Sequence, residues 1–90
     1  MSDAHAADSA IGTITHYFSH LSVAAVTLTD SLHVGDRIHI LGHTTDVEQT
    51  VDSMEVEHAK VDVASPGDDV ALHVNNHVRD HDLIFREAPG

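Results

Sequence analysis

Ala64-Ser65-Pro66-Gly67-Asp68-Asp69-Val70-Ala71-Leu72-His73-Val74 is the stretch whose reading decides the fold. Ser-Pro-Gly-Asp is turn chemistry, and from Val70 onward the apolar residues fall on every second position. Val70, Leu72 and Val74 share one face; Ala71 and His73 share the other. Period two after a tight turn means a strand with one face buried. The arrangement recurs upstream, where Val34-Gly35-Asp36 precedes Arg37–Leu41 and Ile38 and Ile40 point away from Arg37, His39 and Leu41. Gly35 and Gly67 supply the positive φ that a tight turn into a strand needs. Asp36 and Asp68 are placed to accept backbone N–H bonds in Asx-type turns. All four are read as structural turn residues.

The same period runs through the rest of the chain. Ile14, His16 and Phe18 alternate with Thr13, Thr15 and Tyr17, so that of Tyr17 and Phe18 one faces the core and the other solvent. Val23-Ala24-Ala25-Val26-Thr27-Leu28 is apolar on both faces. Val47 to Glu57 is extended, with Val51 and Met54 out of step, which predicts a β-bulge near Asp52-Ser53. Val61 with Val63, and Leu83 with Phe85, mark two further strands. No amphipathic helix and no internal repeat is present. The expected fold class is all-β: a single small antiparallel, Greek-key-like β-barrel of about 6–8 strands. It should span residues 11–87, with 1–10 as a disordered leader and 88–90 as a tail.

Ninety residues, fifteen acids against four bases and a formal net charge of −11 bound the function. Lys60 is the sole lysine, so the basic stripe that binds nucleic acid by counterion release is missing. The acidity fits a salty cytosol, where carboxylates keep a surface hydrated. No cysteine is present, which excludes disulfides and thiolate metal sites. With no apolar run long enough to cross a bilayer, the expected location is cytoplasmic, without membrane contact. Protonating all ten histidines would raise the net charge from −11 to −1, so light scattering should rise as the pH approaches 5.

Four motifs in order carry a family resemblance: Ile11-Gly12-Thr13-Ile14, Leu32-His33-Val34-Gly35-Asp36-Arg37-Ile38, Val51-Asp52-Ser53-Met54 and Ala64–Leu72. Together they resemble the β-barrel second domain of elongation factor Tu, over Ile11 to roughly Arg86. Thr15–Phe18, Gly42–Asp46 and Ser53–His58 are similar to short translation-elongation-factor-like proteins. The module also resembles the small barrel attached to peptidase-like proteins that act in RNA modification. The resemblance implies a non-catalytic binding module of translation or RNA-modification machinery, acting through a protein or RNA partner. GTP hydrolysis is excluded, because the chain has no Gly-x-x-x-x-Gly-Lys-Ser/Thr loop. Where that family holds aminoacyl-tRNA through one acidic and one basic residue, this chain has the neutral Ser53 and Ser65.

The histidines raise the alternative of a metal-binding protein or metal-dependent enzyme. His39/His43 and His77/His81 are each four apart, but that spacing gathers ligands on a helix and these segments read as strand and turn. No metal or cofactor is therefore assigned; the set nearest to one is His77, His81 and Asp82. No Gly-x-Ser-x-Gly elbow occurs, and the chain is read as not an enzyme. Binding candidates are His16 and Tyr17, which could stack on a base or a side chain, and the basic Arg37 and Arg79. The expected partner is a protein or an RNA-associated complex without strong direct nucleic-acid contact, and the chain itself is expected to be a monomer or weak oligomer.

Overall fold

The structure, a computed structural model, describes residues 10–87. Positions 1–9 of the expected leader and all of the 88–90 tail lie outside the described residues. Within them ten short strands follow one another: β1 (Gly12–Phe18), β2 (Val23–Leu28), β3 (Leu32–His33), β4 (Arg37–Leu41), β5 (Asp46–Thr50), β6 (Met54–Val56), β7 (Ala59–Lys60), β8 (Val63–Ala64), β9 (Asp69–His73) and β10 (Leu83–Arg86). Eight form one curled sheet in the order β5-β4-β10-β1-β2-β9-β6-β7, while β3 and β8 form a separate pair. Every pairing is antiparallel, and β10 inserts between β4 and β1. The all-β, barrel-like expectation holds. The extended stretch from Val47 to Glu57 is cut in two, because residues 51–53 leave the ladder between β5 and β6.

The alternation seen in the sequence is what fills the interior. Ile14, Val26, Leu28, Ile38, Ile40, Leu72 and Ile84 are almost fully removed from water, with Leu32, Val51, Met54 and Val74 beside them. Gln49 sits among these apolar residues at 2 % exposure. Its amide donates to the His73 carbonyl at 2.9 Å, and its carbonyl accepts from the Asn75 amide at 2.9 Å. Gln49 lies on β5, one edge of the sheet, and His73 on β9 near the other. One side chain therefore ties the curled sheet shut, and the polar atoms it buries are both satisfied.

A β-bulge is present, but on β1 rather than at Asp52-Ser53. The pairing of β1 with β2 runs Ile14↔Val26 and then His16↔Ala25, which skips Thr15. One extra residue reverses the faces of everything after it. Ile14 points inward, whereas His16 and Phe18 point outward and Tyr17 packs against the core. One aromatic faces the core and one faces solvent, as the sequence predicts, but Phe18, in step with Ile14 in the sequence, is the exposed one at 37 % and Tyr17 is the one packed inward.

Candidate functional site

Three turns share one design. In the first, the His33 amide donates to Asp36 Oδ2 at 3.0 Å while the Asp36 amide donates back to the His33 carbonyl at 3.0 Å. Ser65 and Asp68 repeat it at 2.8 and 3.0 Å, and Arg79 and Asp82 at 2.8 and 3.2 Å. The residue before each aspartate has positive φ: Gly35 at 100°, Gly67 at 90° and His81 at 74°. His81 thus occupies the glycine position of the third copy. Asp82 is 3 % exposed, and its Oδ1 lies so close to Gly42 that a β-carbon there would sit 1.7 Å away. The carboxylate considered for a metal with His77 and His81 is engaged by its own turn.

The four binding candidates fall in three places. Tyr17 and Arg79 come together in a shallow polar cleft with Ser19, His77 and Asp80, where the Tyr17 and His77 rings meet edge to face at 4.7 Å. Arg37 lies on β4 within 3.8 Å of Glu48 and of Glu87. His39, across from Glu48, places Nε2 2.5 Å from Asp46 Oδ1 and Nδ1 3.8 Å from Glu87 Oε2. Among the described residues His39, Glu48 and Glu87 are the grouping whose ligand atoms lie within 4.8 Å of one another. That grouping offers one imidazole and two carboxylates to a cation, and Arg37 already answers both carboxylates.

His16 stands on the outer face of β1 with its ring 4.4 Å from that of Phe18. Here the structure shows what sequence reasoning missed. A row runs across five strands, His16↔Ala25↔Ala71↔Glu55↔Lys60, and its two alanines leave a depression. On one side lies a hollow of about 210 Å³ lined by Phe18, Val23, Ala25, Glu55, Glu57, His58, Asp69, Val70 and Ala71. A neighbouring hollow of about 310 Å³ shares Val23, Glu55 and Ala71, and adds Leu21, Ser53, Met54 and His73. Leu21 is 58 % exposed. The signal lay in Val23–Leu28, apolar on both faces: Ala24 and Val26 serve the core, leaving Val23 and Ala25 to line an exterior groove. At the rim the two-residue loop Glu57-His58 joins β6 to β7 with φ of 53° and 67°. Two positive φ values in such a loop are the type I′ pattern that Asn-Gly fills with little strain; residues other than glycine, asparagine and aspartate each cost about 1 kcal/mol there.

Known proteins resemble this chain in sequence and in fold. Over 76 residues, 83 % of the chain, it is 37 % identical to the uncharacterized protease MJ0090 of Methanocaldococcus jannaschii, and over 78 residues 36 % identical to a collagenase of Porphyromonas gingivalis. The chain spans 19 % and 22 % of those two proteins' lengths. The crystal structure of the C-terminal domain of a Geobacillus thermoleovorans protein described as a U32 peptidase superposes with a TM-score of 0.85 at 17 % identity, covering 96 % of this chain and all of that domain. Its selenomethionine variant gives 0.80 at 18 % identity, covering 87 % and 98 %. The chain has the fold of that C-terminal domain. No family model matches the sequence.

These findings correct the sequence reading. The relatives carry the names of proteases, not of elongation factors, so membership of the elongation-factor group and the role in translation or RNA modification are both overturned. The physical reason is that the motifs belong to the barrel. The Gly-Asp turns lead into β4 and β9, and the same aspartate turn recurs at His81-Asp82 before β10. Among the described residues no helix is long and apolar enough to cross a membrane.

Proposed function

We propose that this chain is a non-catalytic accessory domain that works with a peptidase-type catalytic domain and presents polypeptide to it. The observation that carries the reading is the lopsided coverage: most of this chain matches about a fifth of proteins named as proteases. The remaining four fifths have ample room for the catalytic machinery. The chemistry of the chain agrees. It has no cysteine to act as a thiolate nucleophile. An exterior groove suits recognition better than bond cleavage, because it is open to water on one side.

A domain exchange tests this. The present chain replaces the matching segment of the Porphyromonas gingivalis collagenase, and release of gelatin fragments is followed. The 90-residue chain alone should cleave nothing. A version of the collagenase lacking the segment should lose activity on gelatin, and the exchanged chain should restore it. Turnover by the chain alone, or full activity without the segment, would defeat the proposal.

A further inference from the structure

We infer that the groove over Ala25 and Ala71 binds an extended polypeptide segment, seating an apolar side chain in one hollow and a lysine or arginine two residues away in the other. The inference rests on the accessory-domain reading for its choice of polypeptide; the specificity comes from the groove itself. Along β9 the outward residues are Asp69, Ala71 and His73. Ala71 borders both hollows, with Asp69 in the first and His73 in the second. The two hollows are thus displaced along a strand by about the 7 Å that separates side chains i and i+2 of an extended chain. Successive outward side chains of a bound strand would fall into successive hollows.

The two hollows differ in chemistry. Glu55, Glu57 and Asp69 bring three carboxylates to the first, with Phe18 and Val23 supplying a wall for the aliphatic stem of a long cation. The second shares Glu55 and adds Ser53 and His73, but it carries one carboxylate rather than three, and Leu21, Val23 and Met54 would cover an aliphatic side chain there. Across the strands, Phe18 on β1 and Glu55 on β6 stand three strand spacings apart, about 14 Å, which accommodates one extended chain. Glu57 and His58 of this lining also form the strained turn at the rim. Asn-Gly would relieve the strain, yet side chains that line the groove stand there instead. Strain of this kind collects where side chains are kept for recognition.

The test uses the complete chain and two fluorescein-labelled peptides of one composition. Gly-Lys-Ser-Leu-Ser-Lys-Gly alternates the cation and the leucine; Gly-Ser-Lys-Leu-Lys-Ser-Gly places them side by side. Any attraction to the anionic surface as a whole acts equally on both. The alternating peptide should bind at least about fivefold more tightly, and Glu55→Gln or Glu57→Gln should each weaken it about two- to fivefold at low salt. Ala71→Phe, an outward change at the floor, should cost about tenfold or more while the unfolding midpoint holds. Glu57→Asn with His58→Gly should raise Tm by about 4–8 °C and still weaken the alternating peptide. Equal affinity for the two peptides, or binding untouched by Ala71→Phe in a folded protein, would overturn the inference. Alternating-peptide binding without rescue in the collagenase exchange would keep the groove and remove the peptidase reading; rescue that survives Ala71→Phe would do the reverse.

Discussion

The outer face of the sheet is finished differently at its two ends. On β10, β4 and β5 the outward side chains answer one another: Arg37 reaches Glu48 and Glu87, and His39 reaches Asp46. On β2, β9 and β6 the outward Ala25 and Ala71 lie between the exposed Phe18 and the carboxylates of Glu55, Glu57 and Asp69, and Lys60 on β7, across from Glu55, is the one lysine at this end. The same backbone and the same chain-wide acidity therefore produce one surface that is closed on itself and another left open. Excess negative charge does not by itself mark a site. What marks it is charge beside small, apolar floor residues, where a ligand gains both contact area and countercharge.

The largest effect should come from breaking the connection between the two ends. Gln49→Leu removes both hydrogen bonds that close the sheet and leaves the partly buried His73 carbonyl and Asn75 amide without that partner. It should cost about 2–5 kcal/mol by urea unfolding, since each orphaned group costs 1–3. A loss under 1 kcal/mol would mean that the sheet closes without the latch. Next comes Gly42→Ala, whose β-carbon would meet Asp82 Oδ1 at 1.7 Å and push the carboxylate from the Arg79 amide. About 1–3 kcal/mol should be lost, and an unchanged Tm would show that Asp82 moves aside cheaply.

Smaller changes sharpen the contrast. His81→Gly gives the third turn the residue its φ of 74° prefers and should stabilise by about 0.5–1 kcal/mol. Destabilisation would show that the histidine ring makes a contact worth more than the strain. Smallest is Arg37→Gln at the closed end. The arginine is half exposed, so its two ion pairs should be worth under about 1 kcal/mol, less in molar salt. A loss above 2 kcal/mol would show that this end is held by charge rather than finished by it.

Much of the fold was legible because it depends on local pattern. The alternation of Val70, Leu72 and Val74 and the Gly-Asp turns each express a rule that a few neighbouring residues satisfy. The bulge was not legible. Thr13-Ile14-Thr15-His16-Tyr17-Phe18 alternates smoothly, and only the pairing with β2 reveals that Thr15 is skipped. The third aspartate turn was hidden for a related reason, since His81 stands where the other two copies carry glycine and drew attention as a metal ligand. Of the proposed contacts, Tyr17 and Arg79 share a cleft, while Arg37 lies in the ion-paired cluster at the other end of the sheet. The groove needed three dimensions, because its floor is made of alanines from strands far apart in sequence.

Gln49 grips only main-chain atoms, the carbonyl of residue 73 and the amide of residue 75. The seal on the barrel is therefore indifferent to which side chains those positions carry. Residue 73, which borders the apolar hollow, can be exchanged over generations without loosening the scaffold. A recognition surface bolted to its frame in this way can drift toward new sequences while its architecture stays fixed.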